Sequence, residues 1–269
     1  LLIDQEKLKI KMNNIHPTAI VSNKAKLGDN ITVAPYAIIE DDVEIGNDCQ
    51  IGPSVVIYNG ARIGNRVKIK QSASVSHIPQ DLKFQNEISY FYVGDDTVIH
   101  EFATLHRGTK ETGFSKVGKK CLLMAYTHVA HDCVIGDNVI LANGVQLAGH
   151  VSVDDWAILG GMCGVHQFCR IGKHAMMGVN SVAVKDIPPY VLSGRNPIKF
   201  EGLNTVGLRR RGFSNSDIEI LKKAYDYIYN SGLNVSEGIK KVESELSDNN
   251  YVGEIISFIR SSKRGIIGK

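Results

Sequence analysis

At 269 residues the chain has room for one long domain and a small second one. Its 31 Lys and Arg against 28 Asp and Glu leave a formal charge of only +3, which argues against a general nucleic-acid binder. No apolar run approaches the roughly 20 residues needed to span a membrane, so no membrane insertion is expected. In chain order, residues 1–14 show no periodic pattern; Met12 is a candidate natural start, and what precedes it reads as a leader or added segment without assigned function. From Ile15 an aliphatic residue recurs every six positions, through Val21, Leu27, Val33, Ile39 and Ile45 to Val75. The beat resumes at Val93, Ile99 and Leu105 and runs again from Val117 to Met177. A period of six fits neither a helix nor a simple alternating strand. It predicts a parallel β-solenoid over 15–190, with three hexads to a triangular coil and roughly nine coils about 4.8 Å apart. The aliphatic residue points inward and a small residue four positions later fills the corner. The two gaps in the beat are whole multiples of six, so they read as loops that leave and rejoin the coil in phase.

All five cysteines, Cys49, Cys121, Cys133, Cys163 and Cys169, fall at the small corner position and read as compact core fillers. Reduced buried thiols and no recognisable secretory leader lead us to expect a cytoplasmic protein. After Pro188-Pro189 the pattern changes. Ser214 to Asp217 reads as a capping box opening a helix with Leu221, Ala224, Tyr225, Ile228 and Tyr229 on one face, and Gly232 as its stop. Two more helical stretches fit Val235 to Leu246 and Tyr251 to Ser262. Residues 191–269 are therefore expected to form a small helical domain capping the open end of the solenoid.

The residues best placed for chemistry are His131 and Asp132, at the two outward positions between Val129 and Cys133. An adjacent acid can fix a histidine's tautomer and suit it to general-base work. With three hexads per coil, residues 18 apart stack, so His131, Gly149 and Gln167 form one ladder and Asp132 lies under His150. A base, a bare glycine N–H for an oxyanion and an amide donor together suit acyl transfer. Among the other histidines, only His128-x-x-His131 has ligand-like spacing, so no metal is expected. The loop between Val75 and Val93 carries Asp81 and Lys83, fit to meet a sugar phosphate. Arg209-Arg210-Arg211 and Lys263-Arg264 suit phosphates or an acidic carrier protein.

The segments I-G-N-D-C-Q, I-G-N-R-V-K and I-G-D-N-V-I resemble the hexapeptide-repeat acyltransferases, which implies a left-handed coil. A narrower resemblance, to the members that begin lipid A synthesis, covers almost all of 14–269. It rests on I-H-P-T-A-I, I-P-Q-D-L-K, F-A-T-L-H-R-G-T, L-L-M-A-Y-T-H-V-A-H-D-C, L-A-G-H-V-S-V-D-D, G-V-H-Q-F-C, D-I-P-P-Y and G-L-R-R-R-G-F. It implies transfer of a 3-hydroxyacyl chain from acyl carrier protein to the glucosamine 3-position of UDP-GlcNAc, by direct attack and without a cofactor of the enzyme's own. By the same resemblance His131 is the base, Asp132 its orienting acid and the Gly149 N–H the oxyanion donor. Asp81, Lys83, His128, His150 and Gln167 hold the sugar nucleotide or shape the cleft, and Asn204, Arg210 and Arg211 contact nucleotide and carrier protein. Met176 and Val179 line the acyl groove. Two positions depart from relatives: Val206 stands where a Glu is common, and Val179 where long-chain members carry Gly. A homotrimer with sites between neighbouring solenoids is expected, since a triangular prism offers flat sides to a three-fold axis. Alternatives are acylation of the 3-amine of a UDP-diamino sugar, a zinc-dependent solenoid hydratase, and a non-enzymatic interaction solenoid. The related N-acyltransferase with a uridine-binding domain ahead of its solenoid fits poorly, because the repeat here begins at Ile15.

Overall fold

The computed structural model describes residues 12–269; most of the proposed 1–14 leader lies outside them. Each hexad forms a strand of mostly two residues followed by a tight turn, and successive strands take their places, parallel to their neighbours, in three different sheets; with the strands after residue 190 these number eleven, nine and eight strands. The first sheet begins Asn14–Ile15 and Thr32–Val33, the second Ile20–Val21 and Ile38–Ile39, the third Lys26–Leu27 and Val43–Ile45. Neighbours in a sheet are one coil apart, as in Thr32 with Gln50 and His128 with Gln146. The loops change the count without breaking the register: Val75 pairs with Leu105 and Leu105 with Val129.

The hexad positions from Val33 to Met177 are buried, and so are all five corner cysteines, which are free thiols. Burial pushes the Cys133 thiol up to about 12, and it packs as a small hydrophobe. A chain that turns 120° within two residues needs a left-handed backbone at the second turn position. Residues such as Asn30, Asp48, Asp132, Asn138 and His150 all adopt φ near +60° there. That conformation costs a non-glycine residue about 1–2 kcal/mol, and the stacked coils over-determine it.

The first sheet continues beyond residue 190 with Val191–Gly194, then an antiparallel strand, Lys199–Leu203. Four helices follow: α1 (Thr205–Arg210), α2 (Asn215–Tyr225), α3 (Val235–Leu246) and α4 (Asn250–Arg260). The Ser214–Asp217 capping box is formed, and α2 buries Ile218, Leu221, Ala224 and Tyr225. A π-turn, Asp226–Asn230, extends α2 and buries Ile228, and Gly232 ends it at φ +76°. The short α1 has no counterpart in the sequence reading. Among the described residues no helix is long and apolar enough to cross a membrane.

Candidate active site

His131 and Asp132 occupy the turn between the second and third sheets, directly after His128–Val129. His131 Nδ1 lies 2.7 Å from Asp132 Oδ2. Asp132 is not outward, as the hexad phase suggested, but buried, because the loop between Leu105 and Val117 folds over it. Its carboxylate accepts from the Thr109 N–H at 3.0 Å, from the Thr109 hydroxyl at 2.9 Å and from the Thr112 hydroxyl. Burial alone would push this carboxyl up, but the hydrogen bonds from His131, Thr112 and Thr109 outweigh it and hold the group far below the ordinary range. Asp132 in turn raises the His131 pKa above 6.5 through their hydrogen bond, against the opposing effect of burial.

Gly149 sits one coil on. A Cβ there would stand 2.5 Å from His131 Cε1 and 2.6 Å from Nε2, so the imidazole lies across space that only glycine leaves open. Among the described residues the Gly149 N–H has no hydrogen-bond acceptor. Gln167, a further coil on, is exposed. His150 stacks on Phe168 and places Nε2 3.6 Å from Asp132 Oδ2 and 3.7 Å from Glu111. His128 is half-buried, with Nδ1 2.7 Å from the Thr104 hydroxyl; burial, then the nearby His131, lower its pKa. Asp81, close enough to act on His131 electrostatically, accepts from the Lys83 N–H at 3.0 Å, while the Lys83 side chain is exposed. Thr104, Thr109, Thr112 and Glu111 escaped the sequence reading: the loop offers no periodic frame, and nothing in the hexad singles out Thr104.

His131, Asp132 and His150 also bring possible ligand atoms within 4.8 Å of one another. Two atoms bound tetrahedrally to one zinc at about 2.0–2.2 Å lie more than 3 Å apart. The His131–Asp132 contact at 2.7 Å is shorter, and the carboxylate already accepts from both threonines. The donor set fits a hydrogen-bond network better than a zinc centre.

The remaining expected residues do not join this cluster within one chain. Asn204 is buried as the N-cap of α1: its side chain accepts from the Gly207 N–H and donates to the His174 carbonyl at 3.0 Å. Arg211 lies against His174 and Trp156, at the turn between the third and first sheets, and Arg210 is exposed. Val179 follows Met176–Met177 of the first sheet, so it occupies the turn between the first and second sheets. It shares the six-residue phase of His131 but not the edge of the prism, so within one chain the two side chains stand on different edges. Val179 is 73% exposed, on the edge where the next turn position presents the exposed Tyr36, Phe102, Tyr126 and Met162 in other coils.

The sequence and fold have close counterparts. The profile described as UDP-N-acetylglucosamine O-acyltransferase, domain 2, matches residues 186–267, and that of the bacterial transferase hexapeptide matches 42–77 and 114–149. The acyl-[acyl-carrier-protein]--UDP-N-acetylglucosamine O-acyltransferase of Thiobacillus denitrificans is 49% identical over 257 residues, 95% of this chain and 100% of its own length. The protein of the same name from Burkholderia mallei is 51% identical over 263 residues, again 95% and 100%. The chain belongs to the UDP-N-acetylglucosamine O-acyltransferase family. Its structure matches that of a UDP-N-acetylglucosamine acyltransferase from Bacteroides fragilis with a TM-score of 0.93 at 44% identity, covering 94% of this chain and 99% of the other. A member of the family from Francisella novicida matches at 0.93 and 36%, covering 95% and 94%.

Proposed function

We propose that the protein transfers a 3-hydroxyacyl group from acyl carrier protein to the glucosamine 3-hydroxyl of UDP-GlcNAc, the first step of lipid A biosynthesis. The observation that carries the mechanism is the His131 ring, held between the buried Asp132 carboxylate and the bare backbone of Gly149. With Nδ1–H donating to Asp132, the Nε2 lone pair is free to take the proton from the sugar hydroxyl as its oxygen attacks the thioester carbonyl. The Gly149 N–H, with no acceptor of its own among the described residues, stabilises the oxyanion of the tetrahedral intermediate. As the C–S bond breaks, the same Nε2 returns the proton to the departing thiolate. The new bond is the ester C–O, with no acyl-enzyme and no metal needed. His128, kept neutral by burial, and His150 line the cleft; Asp81, Lys83 and Gln167 hold the sugar nucleotide.

The working unit in this reading is a homotrimer. Asn204, Arg210 and Arg211 belong to α1 and its caps, tied to His174 where the third sheet turns into the first, and Met176 and Val179 to the first sheet and its turn into the second, so a single cleft that joins them all to His131 draws on two neighbouring chains. The exposed apolar side chains along the edge carrying Val179, Tyr36, Phe102, Tyr126 and Met162 among them, support such a contact. Arg210 and Arg211 bring the nucleotide and the acidic carrier protein. We place the reaction in the cytoplasm on the strength of the five free buried thiols. Incubation with a ladder of hydroxyacyl carrier proteins and with both UDP-GlcNAc and its 3-amino analogue, followed by weighing the products, tests the substrate. Acylation of the amine alone, or of neither sugar, overturns the proposal.

A further inference from the structure

The geometry points to Thr109 and Thr112 as positioning residues that hold Asp132 in place for His131. The inference rests on His131 acting as the base. The loop carrying them adds six residues to its coil, and its path is tightly specified. A Cβ on Gly108 would lie 2.3 Å from the Phe114 backbone nitrogen, and Gly113 has φ +77°. Gly113 donates from its N–H to the Thr109 carbonyl at 2.8 Å, and the Lys110 N–H donates to Glu87 of the preceding loop at 2.9 Å. So fastened, the loop brings three donors to a carboxylate whose side chain has no solvent exposure.

Each donor has little else to do. The Thr109 hydroxyl gives its one proton to Asp132 Oδ2. The Thr112 hydroxyl has two acceptors in reach, Asp132 Oδ1 and the Phe114 carbonyl at 2.9 Å, and the ionised one wins its proton. Oδ1 is thereby occupied by Thr112 and the Thr109 N–H, and Oδ2 is left to share between Thr109 and His131. The loop thus fixes the carboxylate plane and, through it, the imidazole. It also spreads the negative charge, so that Asp132 supports the imidazolium without binding its proton too tightly.

The test is Thr112→Val, which keeps the shape and removes the hydroxyl, beside Thr112→Ser, which keeps the hydroxyl. Valine should lower kcat about tenfold, the size expected for one hydrogen bond to a buried charge, with the KM for UDP-GlcNAc little changed. With one donor gone the carboxylate holds the His131 proton harder, so the acid limb of kcat/KM should move to higher pH. Serine should restore both rate and limb. Wild-type rate with an unmoved limb in Thr112→Val, or an equal loss in valine and serine, overturns the inference. Should Thr112→Val fold poorly by thermal unfolding, Thr109→Val carries the same expectations, because its backbone donor remains. His131→Ala run alongside separates the two ideas: if that variant stays active, the base assignment itself has failed.

Discussion

Two corners of the prism share one backbone and differ in what they do with it. Where the third sheet turns into the first, the residue two after the aliphatic position is most often Asn or Asp, and its side chain caps the amide of the coil before. Asn47 accepts from the Asp29 N–H at 2.8 Å, Asn65 from Asn47 at 2.8 Å, Asp137 from Lys119 at 2.7 Å and Asp155 from Asp137 at 2.7 Å. Where the second sheet turns into the third, the same position holds His131, Gly149 and Gln167. There the Gly149 N–H is left uncapped, and the ring of His131 lies across the space a side chain at Gly149 would take. The first corner spends its polar groups on stability, each hydrogen bond contributing about 1 kcal/mol. The second keeps an N–H and an imidazole available for a substrate.

If that contrast is right, His131→Ala should be the most damaging change. General-base contributions run about 10²–10⁴-fold, and the fold should survive because the side chain lies outside the core. Circular dichroism and turnover on one sample check both halves. Gly149→Ala should come next, with a loss of the order of 10²–10³-fold typical of a lost oxyanion donor, since the new methyl collides with the imidazole. Alanine at Gly253, where a Cβ meets nothing, is the control that should leave the rate alone.

The electrostatics give a third expectation. Because Asp132 raises the His131 pKa, and the base works only when neutral, kcat/KM should rise with pH through a limb above 6.5. Asp132→Asn should slow the reaction and move that limb to lower pH; a limb that stays in place would detach Asp132 from the base. Val179→Gly addresses the opposite edge. Blocking one or two methylenes at about 0.8 kcal/mol each shifts preference roughly 4- to 15-fold, so glycine should favour longer acyl chains. An unchanged optimum across carrier proteins of successive chain length would exclude Val179 as the ruler. The smallest effect comes from mixing. Co-expressed His131→Ala and Arg210→Glu chains should recover about a quarter of the wild-type rate, because random trimers pair intact partners at that frequency. No recovery would place the whole cleft within one chain.

Much of this was legible from counting. The hexads gave sheets and core, the 18-residue stack brought Gly149 over His131, and Ser214 with Asp217 marked the start of α2. Counting in sixes also misled. It gave Val179 the phase of His131, whereas an edge repeats only every three hexads. It made Asp132 outward, because nothing periodic announces a loop that folds back to cover it. Asn204, expected from the resemblance as a contact residue, also caps α1 and ties it to His174, a role set by tertiary packing that no local pattern announces.

The unbroken register across the two loops has one more consequence. The spacing between His131 and Gly149 is a property of the coil, about 4.8 Å along the axis, and no side chain between them can adjust it. A single inserted residue would turn inward-facing positions outward from that point on. A whole inserted coil would leave a sound protein whose two halves of the site no longer meet. Tolerable changes of length are thus confined to protrusions that return in step, as the loops before Tyr90 and Phe114 do.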